Sequence, residues 1–343
     1  MSQLKAIAVA TTAGILLAGA AVILFAGGSS EKKDRKQPDG GDEEQERTAF
    51  ASEQAGPNEK AVPFDGKRAM RYLEAICAIG PRMSGTAGMR KQQDLIRKHF
   101  TDLGMKVEEQ TFSAKQVSRQ NRVDMTNLIV SYHPEKKRRV ILCSHYDTRP
   151  IADQEKDPRK WRDTFLSAND GGSGVAFLME LANHMKDLKT NVGVDFVFFD
   201  GEEYIWDPRP GRDEYFFGSK HFAQSWRKMK PRPDYTAAIL LDMIGGQGAR
   251  FKIEGHSWRF AQSLVKEVWG VARELKSPMF VAEEGHTVLD DHIALQGQGI
   301  RAIDIIDFDY PHWHLLSDVP ANCSGESLAE VSRVLTTWLQ RVK

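Results

Sequence analysis

The chain has 343 residues, and its 47 lysines plus arginines are matched by 47 aspartates plus glutamates. This zero net charge excludes a dedicated nucleic-acid or anionic-surface binder, and 41% apolar with 27% charged residues excludes a chain disordered throughout, a collagen or a multi-span membrane protein. Three cysteines (Cys77, Cys143 and Cys323) are too few for a disulfide framework and show no CxxC spacing, so any metal must be held by histidine and carboxylate.

Residues 6–28 run 23 positions without a charge. At about 1.5 Å rise per residue, a helix of that length crosses a hydrocarbon core of about 30 Å. Two readings fit, a retained membrane anchor or a signal peptide cut after the small residues Ala18-Gly19-Ala20. Cleavage there leaves Val22 to Phe25 at the mature N-terminus, which favours the anchor. Lys5 alone precedes the span, whereas Lys32, Lys33, Arg35 and Lys36 follow it, and the positive-inside rule on its own puts that cluster in the cytoplasm. Because Glu31 and Asp34 interleave the cluster, an exported main domain (periplasmic, extracellular or luminal) is expected, membrane-anchored or, with cleavage, secreted. Residues 29–60 are rich in charge and poor in large apolar side chains, the composition of a disordered linker. Residues 61–343 then form one folded domain.

Within that domain the strand patterns are 125–132, 138–147, 192–203, 237–246 and 300–307, each a dense apolar run suited to burial on both faces. Helical spacing follows Asn169-Asp170 and Gly218, and recurs at 260–275 and in the C-terminal SLAEVSRVLTTWLQ. The alternation predicts an α/β fold, a three-layer αβα sandwich around a mixed, mostly parallel sheet.

The chemistry gathers where strands end. His145 and Asp147 close one strand, Asp170 precedes a helix, Glu202 and Glu203 close another strand, Asp242 ends a third, and His314 follows the last. Ligands in open α/β sheets bind beyond the carboxyl ends of the strands. Taken singly, a His-x-Asp is a capping pair, an Asp before Gly-Gly-Ser-Gly is an N-cap, and Glu-Glu is a solvated loop. Together they bury too many carboxylates to be left without cations. Zinc suits histidine and carboxylate donors with an open position, and this many donors can hold one ion or two.

The segments CSHYDT, SANDGGSGVAFLMELA, VFFDGEE, LLDMIG and Trp313-His314 resemble, in order and spacing, the zinc-aminopeptidase superfamily that includes the animal-type glutaminyl cyclases. The resemblance covers roughly 65–343. It implies Asp170, Glu203 and His314 as zinc ligands, Glu202 as the acid/base, His145 and Asp242 as ligands of a possible second ion, and Asp147 as the carboxylate that orients the histidine. Three features resemble the cyclase branch. The loop YIWDPRPGRDEYFF separates Glu203 from Gly218-Ser219, Asp290-Asp291-His292-Ile293 is similar to a cyclase segment whose first Asp joins a carboxylate network with Glu202 and Asp242, and Trp313 directly precedes the histidine. Trp206, Trp313 and Trp161 are the expected pocket walls. Departures are the missing cysteine pair, with Cys143 displaced by one position, a Trp206 that is also one position out, and a second histidine, His312, beside His314. The expected activity is zinc-dependent cyclisation of N-terminal Gln on peptides or proteins. The alternatives are a dinuclear zinc aminopeptidase and a non-catalytic binding module.

Overall fold

The structure is a computed structural model that describes residues 61–343. The expected anchor at 1–28 and linker at 29–60 lie outside the described residues. Among the described residues, no helix is long and apolar enough to cross a membrane.

Seven α-helices and eight strands alternate along the described chain. Helices α1 (Gly66–Cys77) and α2 (Ala87–Asp102) precede strands β1 (Val107–Ala114), β2 (Val123–Tyr132) and β3 (Arg138–His145). They are followed by α3 (Ser173–Ala182), β4 (Gly193–Phe199), α4 (Phe217–Lys228), β5 (Asp234–Asp242), β6 (Phe251–Ile253) and α5 (Gly255–Glu274). The chain ends with β7 (Phe280–Glu284), α6 (Asp291–Gly297), β8 (Ala302–Ile306) and α7 (Gly325–Arg341).

Six strands form one sheet in the order β1-β2-β4-β3-β5-β8, and β6 pairs with β7 separately. β1/β2 and β2/β4 are antiparallel, whereas β3/β4, β3/β5 and β5/β8 are parallel. The sheet is therefore mixed, and its parallel half brings the carboxyl ends of four strands to one edge. Alternation divides the side chains between two cores, as the pleat requires. Val140, Leu142, Phe196, Phe198, Ile239 and Leu241 pack with α1, α2, α3, α5 and α7. Ile141, Cys143, Val197, Phe199, Ala238 and Leu240 pack with α4 and α6. This is the expected three-layer arrangement.

Four of the seven helices and five of the eight strands follow the sequence pattern. β1, with the sequence VEEQTFSA, is a half-exposed edge strand whose charges hide its period, and α6 is only seven residues long. Cys77, Cys143 and Cys323 are all buried free thiols.

Candidate metal centre and active site

The strand ends deliver the predicted side chains to one place. β3 ends at His145, β5 ends at Asp242, Glu202 and Glu203 lie just beyond β4, and His314 sits in the loop after β8. Asp170 leaves helical geometry (φ −75°, ψ 105°) in the turn before α3, and Gly171 follows in the left-handed region (φ 73°). A Cβ at Gly171 would stand 2.7 Å from His145 Cε1, so only glycine allows the two segments to meet. Ser167, Met243 and His314 also take left-handed backbone, with φ of 51°, 46° and 52°. Non-glycine residues adopt this region at a cost, and here the three flank the ligand segments.

His145, Asp170 and Glu203 are buried and offer donor atoms within 4.8 Å of one another. His314 adjoins them: its Nε2 lies 2.7 Å from Glu203 Oε1 and 3.5 Å from Asp170 Oδ2. On the other side, His145 Nε2 is 3.1 Å from Asp170 Oδ1 and 3.2 Å from Asp242 Oδ1. Asp170 thus faces two histidines with different oxygens, the position of a bridging carboxylate. Tetrahedral ligands about 2.0–2.1 Å from zinc stand roughly 3.3 Å apart, so both groups suit such an ion. Asp170 Oδ2 and Glu203 Oε2 are buried without a hydrogen-bond partner, which a cation would remedy. The donor set therefore fits zinc.

Electrostatics agree. Burial alone would lower the pKa of both histidines, but Asp147, Asp170 and Asp242 hold His145 well above its usual value, and Glu203 and Asp153 raise His314 to about 9. Glu203 is pushed up by burial and then by Asp170. Burial would also raise Asp170, yet its hydrogen bond with His145 and the positive charges of His145, His314 and Arg149 together outweigh this and lower it. Such a cluster is stable only with positive charge inside it.

Around these donors lies a supporting layer. Asp147 accepts hydrogen bonds from the backbone N–H groups of Glu202 (3.0 Å) and Glu203 (3.1 Å), and its carboxylate is 3.6 Å from His145 Nδ1. Fixing the Glu-Glu backbone is therefore its closest role. Asp153 lies 2.9 Å from His314 Nδ1 and receives two bonds from Arg149. Asp318 accepts the N–H groups of Asn169 and Asp170 and the Tyr310 hydroxyl. The sequence reading missed Arg149, Asp153, Asp318 and Tyr215, whose hydroxyl meets Arg149 at 3.2 Å. None of these stands in a helix or strand, so no sequence period marked them.

Glu202 is buried beside Glu203, and that burial, with Glu203 and Asp290 nearby, pushes its carboxyl well above the usual range. Asp290 caps α6 and is raised in turn by burial, Asp242 and Asp291. Trp313 stacks on His314 with centroids 4.1 Å apart and leans on Phe308. The other two tryptophans have partners of their own. Trp206 packs against Tyr204 and beneath Arg119, in a cluster with Ala114 and Met125, and Asp213 accepts its backbone N–H. Trp161 bonds the Glu155 carbonyl, and Glu155 in turn accepts Leu316 N–H just past His314. His312 pairs with Ser317, away from the donor group.

A mixed sheet with carboxylate and histidine donors along its parallel edge defines a zinc-exopeptidase-like protein. The family model for peptidase family M28 matches residues 127–339, and the chain belongs to that family. It shares 53% identity with a glutaminyl cyclase from Fimbriiglobus ruber, covering 85% of this chain and 100% of that one with a TM-score of 0.82. It is 24% identical over 263 residues to a Drosophila melanogaster glutaminyl-peptide cyclotransferase, 69% of this chain and 70% of that protein. A leucine aminopeptidase precursor from Bacteroides thetaiotaomicron is 29% identical, with a TM-score of 0.77 over 83% of this chain and 100% of that one.

Proposed function

We propose that the chain is a zinc-dependent glutaminyl-peptide cyclotransferase that converts N-terminal Gln of peptides or proteins to pyroglutamate and releases ammonia. The observation that carries this reading is the 53% identity with the Fimbriiglobus ruber glutaminyl cyclase across the whole of that chain. Asp170, Glu203 and His314 would hold the ion. When bound, it supplies Lewis acidity to the γ-amide carbonyl.

The remaining work falls to side chains. The substrate's α-amine has a pKa near ~8 and is mostly protonated at neutral pH, so a base must free its lone pair. Glu202, beside the ligands without being one of them, takes that proton and passes it to the departing γ-nitrogen. Asp290, held above the usual carboxylate range by burial and by Asp242, stands near Glu202 and opposes a further charge there, since neighbouring buried carboxylates cannot all ionise cheaply. As the α-nitrogen bonds to the γ-carbon, the bond to the γ-nitrogen breaks, the new ring nitrogen releases its second proton through Glu202 to solvent, and no water is consumed. Trp313 supplies a flat apolar wall beside His314.

One observation favours a second reading. His145 lies within 3.2 Å of both Asp170 and Asp242, as a second ion would require for an aminopeptidase. Mass spectrometry of peptides beginning with Gln and with Leu separates the two. Loss of the mass of ammonia from the Gln peptide, with every peptide bond intact, is expected. Release of free Gln or Leu overturns the cyclase reading. We also propose that the catalytic domain is exported and held at a membrane through residues 6–28.

A further inference from the structure

Arg149 is almost wholly buried, with 2% of its side chain exposed, and it is not one of the proposed metal ligands. Its guanidinium carries five N–H groups. Nε and Nη2 each donate to Asp153 at 2.9 Å, and Nη2 also reaches the Tyr215 hydroxyl at 3.2 Å. Nη1 is buried and has no hydrogen-bond partner. It forms an ion pair with Glu203 Oε1 at 3.6 Å, beyond hydrogen-bond range, and that oxygen is itself 2.7 Å from His314 Nε2. Leaving a buried donor unpaired costs about 1–3 kcal/mol, and a lysine could satisfy Asp153 without that cost. The fork is fixed on one side by Asp153 and Tyr215, so the free nitrogen faces the ligand atoms.

We infer that Arg149 is a further catalytic residue, whose Nη1 donates to the γ-amide oxygen of the N-terminal Gln. The inference rests on the cyclase reading above. Of the groups that this substrate brings, the α-ammonium is repelled by a guanidinium and belongs at Glu202. The γ-amide is the group that must lie among the donor atoms, and its oxygen is an acceptor. As the α-nitrogen bonds to the γ-carbon, the carbonyl π electrons move onto that oxygen, and the Nη1–H bond strengthens with the growing charge. Collapse restores the carbonyl and breaks the bond to the γ-nitrogen, which leaves as ammonia with the proton carried by Glu202, while the ring nitrogen gives up its second proton to the freed Glu202 carboxylate and so to solvent. Arg149 stays protonated throughout. A preorganised donor to a developing oxyanion is worth about 10²–10³ in kcat.

The test compares wild type with Arg149→Lys, which keeps a charge for Asp153 but lacks the second arm of the fork that reaches the ligand atoms. Expected are a kcat lower by about 10²-fold, a KM within about 3-fold, and zinc affinity of the metal-free protein, measured by calorimetry, within about 3-fold of wild type. If Arg149 acts only by orienting His314 through Asp153, Arg149→Lys keeps kcat near wild type, whereas Arg149→Ala loses zinc affinity about 10–100-fold and regains turnover with excess zinc. That result, or a kcat near wild type for Arg149→Lys alone, overturns the proposal. Arg149→Ala with added guanidinium is the second arm. Recovery by guanidinium but not by sodium supports a donor role, and equal response to both refutes it. Wild type that forms no pyroglutamate would instead sink the cyclase reading, whatever the variants do.

Discussion

Glu202 and His314 lie in one buried group, yet they should fail in different ways. His314 offers Nε2 to Glu203 and Asp170, so His314→Ala deletes a donor and is expected to lose most bound zinc, read by atomic absorption. Glu202→Gln keeps the donors and removes the base, so zinc should stay while kcat falls about 10²–10⁴-fold. His312→Ala is the control, since His312 bonds Ser317 and not the donor group. Depletion of zinc by the His312 change, and not by the His314 change, would reverse the assignment. The donors were legible in the sequence because each ends a strand or opens a helix, and sheet topology carries those ends to one edge. Their partners were not. Arg149, Asp153 and Asp318 stand in irregular segments where nothing repeats, and what matters about them is the direction of a side chain. Trp206 is similar: its residue type suits a pocket wall, but its ring contacts with Tyr204 and Arg119, and the bond from its backbone N–H to Asp213, have no signal in the sequence.

Among the elements, α5 shows how a buried charge can secure a helix. Glu254 caps it, accepting from the N–H groups of His256 and Ser257, the Ser257 hydroxyl and the N–H of Val288. Burial would raise its pKa, but the contact from His292 at 3.2 Å and these donors prevail and hold it at about 2. A carboxyl held below its unfolded value of about 4.3 stabilises the fold above that pH and loses the effect as pH falls towards 2. Glu254→Gln should therefore cost about 3 kcal/mol at pH 7, and the gap should shrink to less than half by pH 3. Urea unfolding of zinc-free protein at the two pH values measures it. A gap unchanged by pH would mean that hydrogen-bond geometry, not charge, secures the cap. The central strands were legible from their unbroken apolar runs, whereas β1 and α6 were not. β1 pairs on one edge only and leaves alternate side chains in water, so its charges mask the strand period. α6 is too short for a helical repeat to accumulate, and its position depends on Asp290 and on packing against β8 and α4.

At the scale of the whole molecule, what remains is where this domain works. Pyroglutamate formation needs a free N-terminal Gln, so the substrates are chains whose N-termini have already been exposed by processing. Residues 6–28 would bring the enzyme to such chains as they leave the cytoplasm, and a linker as charged as 29–60 would let the domain reach them without packing on the membrane. Retention and cleavage of the apolar segment make different predictions. A retained span of 23 uncharged residues matches a bilayer core and resists alkaline carbonate, which strips proteins held only at the surface. Cleavage after Ala20 would leave a soluble domain with a new N-terminus. We expect the full-length protein in the carbonate-washed membrane pellet, with its intact N-terminal segment found by mass spectrometry. External protease added to intact cells or spheroplasts should then remove the domain, because the expected orientation places it outside the cytoplasm. Soluble protein with residues 1–20 missing would establish the secreted alternative. A membrane pellet whose domain resists external protease would place the basic cluster at 32–36, and the enzyme with it, on the cytoplasmic side.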